Sequence, residues 1–384
     1  MAISRPRWRV RAILGLLLVL AATVVWLTWI PDNPGYSRAI IRQADALQAR
    51  LLTFDGQVTV SPALGSATPS SSHEGPSPFD LRTLEKGHLS GAALSLTDWA
   101  GDGASQPPEA CLAEPAQARQ LARFTALAHQ VRDHPEQLAF AYGPEDVRRL
   151  HGEGRFAVVL GLLDAASFST DLDQLDAWTA RGMRLFGFAC AGDTAQIDAA
   201  QATPCANVGG SGGLSPRGEQ AVARLNDLGV IIDVSQLSSQ ALRQVTRLSR
   251  APLVASRTVP DLQRSSGDKD LRSIAATGGV VVIPVYGDES RPLEAATPRA
   301  TLRAYGETID HAVKTVGIAH VGLASGSDAR SGVTGFAPVG QARNVTAELL
   351  RRGYDEADIA QLWGGNFLRV WAQVQRSSIS LITR

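Results

Sequence analysis

Gly229-Val-Ile-Ile-Asp-Val-Ser-Gln236 is the stretch that decides the reading of this chain. Val230, Ile231, Ile232 and Val234 form a nearly continuous β-branched run, as in a strand covered on both faces. Helical patterns flank it at 216–228 and 239–249. A buried strand between two amphipathic helices is the unit of a parallel sheet clothed in helices. The run ends in the polar Ser235 and Gln236.

Working outward, the same unit recurs. Strands are predicted at 51–60, 91–99, 156–163, 183–190, 230–236, 252–257, 279–286 and 320–325, and further helices at 116–133, 172–181 and 300–316. Eight strands with intervening helices over 51–376 predict an α/β fold, a (β/α)8 TIM barrel. An open doubly wound sheet is the alternative, but no glycine-rich phosphate turn follows the first strand. Segments after strands are long and rich in Gly, Pro, Ser and Ala, at 61–78, 101–115, 191–215, 287–298 and 329–340. Segments before strands are short, at 181–183 and 250–252. Long loops therefore gather at the C-terminal rim, where barrel enzymes carry their chemistry.

The chain has 384 residues, 44% of them hydrophobic, enough for one large barrel core. Formal net charge is zero, but residues 1–11 hold Arg5, Arg7, Arg9 and Arg11 with no acid, leaving 33 basic against 37 acidic residues elsewhere. A mildly acidic body argues against a nucleic-acid partner. Residues 12–30 are uncharged and apolar, with Trp26 and Trp29 near their end. At 1.5 Å per residue such a helix spans roughly 28 Å, the thickness of a bilayer core. The expectation is one N-terminal transmembrane helix behind a basic cytoplasmic tip at 1–11. A linker and lead-in helix at 31–50, the barrel, and a tail at 377–384 follow. A cleaved signal peptide is the rival reading, although the exit 29–34 has no small-x-small cleavage site. Both put the barrel outside the cytoplasm, the first in the periplasm on a single-pass inner-membrane anchor. Of the three cysteines, Cys190 and Cys205 either bridge or remain isolated thiols.

Several segments carry a resemblance in order along 40–376. They are Phe54-Asp-Gly56, Phe79-Asp-Leu81, Gly212-Gly-Leu-Ser-Pro216, Leu225-Asn-Asp-Leu-Gly-Val-Ile-Ile-Asp-Val-Ser235, Ile274-Ala-Ala-Thr-Gly-Gly279, His320-Val-Gly-Leu323 and Gly364-Gly-Asn-Phe-Leu-Arg-Val370. Together they resemble the membrane (renal) dipeptidase family, zinc-dependent barrel hydrolases of dipeptides, often homodimeric. The resemblance implies two zinc ions held at strand ends, and this chain departs at those positions. The family's Asp-Gly-His-x-Asp is here Asp55-Gly-Gln57-Val-Thr59. Its bridging Glu is replaced at Leu163, and the histidines of the fifth and sixth strands by Gln236 and Arg257. A substrate-contacting His corresponds to Cys190, and the last strand's acid to Gly326, with Asp328 beyond it. Arg264 matches an arginine that grips the substrate carboxylate.

An inventory independent of the family agrees. His73, His88, His129, His134, His151, His311 and His320 all fall in predicted loops, helices or strand starts. None makes a His-x-His, His-x-Asp or His-Glu-x-x-His spacing. Gln57, Thr59 and Gln236 offer only neutral oxygens, Leu163 offers none, and Arg257 is positive. Two unit charges ~4 Å apart at a dielectric of ~20 interact by about 4 kcal/mol, and a divalent ion doubles that repulsion. The mouth acids Asp98, Asp164, Asp233, Asp288 and Asp328 read as solvated or structural, with Asp233 bonded beside Ser235. The Gly209–Gly213 run suggests a phosphate cradle, but it carries no Lys and follows no strand directly, so it reads as a hinge or turn. Cys190 has no histidine partner in the pattern.

The expectation is a dipeptidase-family protein of the cell envelope with no zinc and no catalytic residue. It would bind a small peptide or carboxylate, or organise partners as a homodimer or beside an active relative. Ligand-site candidates are Gln57, Thr59, Leu163, Cys190, Gln236, Arg257, Arg264 and Asp328. The alternatives are an active dipeptidase with an atypical or metal-free site, and a structural envelope protein without ligand.

Overall fold

A computed structural model describes residues 35–59, 87–96, 116–163, 172–188, 213–235, 237–256, 266–285, 301–325 and 341–382. In chain order the elements are α1 (Arg38–Gln48), β1 (Phe54–Thr59), β2 (Gly91–Ser95), α2 (Ala116–Asp133), β3 (Leu138–Phe140), α3 (Pro144–Gly152), β4 (Phe156–Leu162), α4 (Asp173–Ala180), β5 (Met183–Gly187), α5 (Pro216–Leu228) and β6 (Ile231–Asp233). They continue through α6 (Ser239–Leu248), β7 (Val254–Ala255), α7 (Ser266–Ala276), β8 (Val280–Pro284), α8 (Leu302–Val316), β9 (Val321–Ala324), α9 (Ala342–Arg352), α10 (Glu356–Ala360) and α11 (Asn366–Ile382). Eight strands pair in parallel in the order β1-β2-β4-β5-β6-β7-β8-β9, and β3 adds a short ninth against β4. β9 packs back beside β1, so the sheet nearly closes into the predicted barrel.

Local chemistry sets the boundaries. Ser215 caps α5 by accepting the Gly218 N–H at 3.1 Å, with Pro216 in the first turn, where its missing N–H costs nothing. The helix stops at Gly229, whose left-handed φ of 66° turns the chain into β6. Ser238 and Thr301 cap α6 and α8 in the same way.

Side-chain alternation separates two cores. Phe54, Ala93, Ala157, Val159, Leu185, Ile231, Val254, Val280, Val282 and Ala324 fill the barrel interior together with Phe367, Val370 and Trp371 of α11. The intervening residues, such as Ala92, Leu94, Val158, Phe186, Ile232, Ala255 and Ile283, pack against the surrounding helices. α11 plugs the barrel's closed end. The Phe54 and Phe367 rings lie 5.1 Å apart, and Gly364, at φ 110°, lets the chain pass so close that a Cβ there would sit 2.4 Å from Phe54 Cβ. Asn366 Nδ2 donates to the carbonyls of Ile318 and Val321 at 2.7 and 2.8 Å, fastening the plug to β9.

Some expectations need correction. The paired parts of 230–236 and 252–257 shrink to Ile231–Asp233 and Val254–Ala255. The N–H groups of Ser235 and Ser256 turn instead to the Asp233 carboxylate, which ends the ladder. His320 does not start a strand; it closes a 3-10 turn, its Nδ1 2.8 Å from the Gly279 carbonyl. β3 is an addition, too short to show alternation in the sequence, and α3, α7, α9, α10 and α11 join the predicted helices. No helix among the described residues is long and apolar enough to cross a membrane, and 12–30 lies outside them.

Candidate functional site

The barrel's open end carries the polar residues that follow the apolar runs. On β1 a bulge sets in between Asp55 and Val58, so that Gly56 and Gln57 share the place opposite Ala93. Ala93 belongs to the interior core, which puts the bulged Gln57 on the interior side above Phe54. Gln57 is fully buried. Its N–H donates to Asp55 Oδ1 at 3.1 Å, the contact that holds the bulge. Thr59 stands opposite Ser95 in the register. Leu163 follows β4 directly and leans on β5: a Cβ at Gly187 would meet its Cδ2 at 2.9 Å. An alkyl side chain thus occupies the rim where the resemblance calls for a bridging carboxylate.

Asp233 ends β6 on the interior face shared by Ile231, and is 1% exposed. Its Oδ1 accepts the N–H of Ser235 at 2.7 Å and of Ser256 at 3.4 Å, so the expected hydrogen bonding beside Ser235 holds. Burial raises its pKa, and the donors of Ser235 and Ser256 pull it partly back. Its Oδ2 and the hydroxyls of Ser256 and Ser95, all buried, have no hydrogen-bond partner among the described residues.

Asp55 faces the other way, toward the helices, as does Ala92 opposite it. Both its oxygens lie 3.0 Å from the Ser325 N–H, across the seam between β1 and β9. Burial lifts its carboxyl to about 6 despite the donors of Ser325 and Gln57. Nearby, the Tyr305 hydroxyl donates to the Ile283 carbonyl at 2.8 Å. Burial first, and the Asp55 charge second, push that phenol well up.

Of the predicted site residues, β1 brings Gln57 and Thr59 to one rim and β4 delivers Leu163 to it. Cys190, Gln236, Arg257, Arg264 and Asp328 lie outside the described residues, as do Asp98, Asp164, Asp288, Gly326 and Cys205. Sequence reasoning missed Ser95, Ser256, Ser325 and the seam role of Asp55. The available signal was parity: Ser95 and Ser256 are the first polar residues on interior positions of apolar runs. The described histidines make structural contacts or sit on helices and turns: His151 Nδ1 lies 2.8 Å from Ser90 Oγ, and His311 Nε2 2.8 Å from Asp268. Among the described residues no three His, Cys, Asp or Glu side chains are grouped to hold a metal ion.

The profile of the membrane dipeptidases, peptidase family M19, matches residues 41–382. The chain belongs to this family. The resemblance read from its motifs is therefore borne out. The probable dipeptidase PvdM from Pseudomonas aeruginosa is 38% identical, with a TM-score of 0.76 over 89% of this chain and 100% of that one. Dipeptidase aclJ of Aspergillus oryzae is 29% identical over 265 residues, 66% of this chain. The chain spans 61% of the length of that curated relative. A metallo peptidase from Rhodobacter sphaeroides, liganded with a phosphinate mimic of the dipeptide L-Ala-D-Ala, shares the fold at 21% identity. Its TM-score is 0.66 over 84% of this chain and 99% of that one.

Proposed function

We propose that this membrane dipeptidase-family chain binds small peptides or carboxylates in its barrel mouth without holding zinc and without hydrolysing them. The observation that carries the reading is the β1 bulge: the side chain presented there is the neutral amide of Gln57, fully buried. At the ends of β4, β2 and β7 stand Leu163, Ser95 and Ser256, an alkyl group and two hydroxyls that make poor ligands for a divalent zinc ion. Among the described strand ends the interior carboxylate is Asp233; its Oδ1 takes two N–H groups, and the one remaining oxygen is far short of a zinc ligand set. Zinc in proteins is held by thiolate, imidazole and carboxylate. The described strand-end residues do not fit it.

Arg257 and Arg264 supply the affinity for a carboxylate in this reading. Two guanidiniums gripping one carboxylate contribute about 1.5–3 kcal/mol for each charge-assisted contact. A counter-reading is that Arg257 neutralises Asp233, Asp288 or Asp328 and fills the space. The same proposal puts the barrel outside the cytoplasm on the anchor at 12–30, supported by the four arginines before it. It allows a homodimer or a pairing with an active relative. The second reading, an active dipeptidase with an atypical site, is favoured by family membership itself.

The test is elemental analysis of the dialysed protein with a dipeptide hydrolysis assay and calorimetry on wild type and Arg257→Ala. The expected result is no stoichiometric zinc, no turnover, and binding that falls with the substitution. One or two zinc ions per chain with hydrolysis would establish the second reading.

A further inference from the structure

We infer that the floor of the barrel mouth at the β6 and β7 ends is a recognition site for a primary ammonium group, with Asp233 Oδ2 as its counter-ion and Ser256 Oγ as its second acceptor. This rests on the proposed peptide-binding reading and deepens it. The peptide's amino end goes to Asp233, its carboxylate to the arginine side.

Three observations meet here. Asp233 is almost wholly buried, yet only Oδ1 is used, taking both the Ser235 and Ser256 N–H groups. Oδ2 has no donor among the described residues. A buried carboxylate oxygen without a donor is costly, because water no longer solvates it and the low local dielectric magnifies the loss. Second, the Ser256 hydroxyl is also fully buried and makes no well-formed hydrogen bond among the described residues, although it stands close enough to Asp233 to favour its charged form. The two orphan atoms therefore belong to neighbouring side chains. Third, both residues stand at the end of their strands on the barrel's open side.

The chemistry selects the partner. The missing group must donate, since a carboxylate only accepts and a serine hydroxyl can accept. It must be compact, because Leu163 packs over Gly187, the residue of β5 paired with Asp233. It must also match one negative charge rather than the several that a divalent ion demands. A primary ammonium meets all three conditions: it carries one charge and three donors on a single atom. A water molecule would satisfy the hydrogen bonds but leave the buried charge uncompensated, and it is the outcome the experiment must exclude.

Calorimetry with four small probes separates the two ends of the ligand. The probes are glycylglycine, N-acetyl-glycylglycine, methylammonium and acetate, and the proteins are wild type, Asp233→Asn and Ser256→Ala. Glycylglycine is expected to bind wild type about tenfold more tightly than its acetylated form. Asp233→Asn should remove that advantage and abolish methylammonium binding, leaving acetate unchanged. Because Ser256 Oγ makes no well-formed hydrogen bond among the described residues, Ser256→Ala should keep the fold, and it should weaken the two amine probes about threefold. It carries the test if Asp233→Asn does not fold. Methylammonium binding that depends on Asp233 or Ser256 supports the site even if acetate fails, which would count only against the carboxylate end. Equal affinity for glycylglycine and its acetylated form, or amine binding untouched by the substitution that folds, overturns the inference and leaves buried water or the Arg257 side chain as the occupant.

Discussion

The Asp55 carboxylate takes the Ser325 N–H with both oxygens at 3.0 Å, bridging the seam between the first and last barrel strands. The same carboxylate holds the Gln57 N–H at 3.1 Å. One buried side chain thus both joins the barrel's ends and fixes the bulge that presents Gln57. Removing it leaves two buried N–H groups without acceptors, at about 1–3 kcal/mol each. Asp55→Ala is therefore expected to lose roughly 2–6 kcal/mol of stability, read as a lowered urea midpoint. Asp55→Asn, which keeps one acceptor oxygen, should lose less. An unchanged midpoint for the alanine variant would show that the seam closes without it.

The same residue predicts a pH dependence. Its folded carboxyl sits at about 6, above the ordinary 3.8, because burial disfavours the charge. The folded state therefore holds the proton more tightly than the unfolded chain. Its contribution to stability is complete below about pH 4 and is lost as pH rises through 6. That difference between folded and unfolded chains is worth roughly 3 kcal/mol. Asp233, raised for the same reason, adds in the same direction. Ion-paired carboxylates held below their ordinary range, such as Glu153, work oppositely, so the readout is a difference. Wild type minus Asp55→Asn, from urea midpoints between pH 4 and 7, should fall with rising pH; a flat difference would contradict the assignment.

At the closed end, Gly364 combines φ 110° with an approach of 2.4 Å between its notional Cβ and Phe54 Cβ. Gly364→Ala brings backbone strain of about 1–3 kcal/mol and an overpacking cost of similar size. The expected loss is roughly 2–5 kcal/mol. Gly317→Ala, at φ 84° but with open space around it, isolates the backbone part. Equal losses in the two variants would mean that the contact with Phe54 contributes nothing.

How much of this is legible in the sequence follows from which forces are local. Strand runs such as 279–286 announce themselves because burial on both faces demands apolar residues at every position. The eight barrel strands and the rim of Gln57 and Leu163 are legible in that way. β3 is invisible because three residues carry no period, and it exists only because β4 offers an edge at Phe156–Val158. Asp55 stands in a recognisable motif without a visible role, since its partner Ser325 lies 270 residues away and no local pattern links them. Gln236, Arg257, Arg264, Cys190 and Asp328 rest on strand-end position and family resemblance alone.

A cluster on the outer helices makes another prediction. Glu348 of α9 is nearly buried and takes hydrogen bonds from Arg351, Arg352 and the Tyr36 hydroxyl, the last at 2.8 Å. Arg352 also pairs with Asp310 of α8. Burial pushes the Glu348 carboxyl up, but the hydrogen bonds from Arg351, Tyr36 and Arg352 together outweigh it and hold the group below its ordinary range. Glu348→Ala would leave Arg352 half-compensated and Tyr36 without its acceptor, at about 3–5 kcal/mol by the usual cost of breaking a buried pair. Tyr36 precedes α1, so hydrogen exchange should quicken across Arg38–Gln48 in the variant. Exchange in α1 identical to wild type would mean that the lead-in helix is held by its apolar contacts alone.

Stability is further expected to be indifferent to chelators. A ligand bound only by the folded state adds RT ln(1 + [L]/Kd), about 2.7 kcal/mol at a hundredfold excess over Kd. A barrel that depended on zinc would therefore melt several degrees lower after the metal is stripped. At this rim Gln57 and Leu163 supply an amide and an alkyl group, and Asp233 adds a single carboxylate whose Oδ1 already accepts from Ser235 and Ser256. Thermal midpoints with EDTA, with excess zinc and with neither should coincide. Gln57→His should not change that, because one imidazole beside hydroxyls and Leu163 still falls short of the three or four strong ligands that zinc takes. A midpoint that drops with EDTA and recovers with zinc would show that the residues of this mouth hold a metal after all.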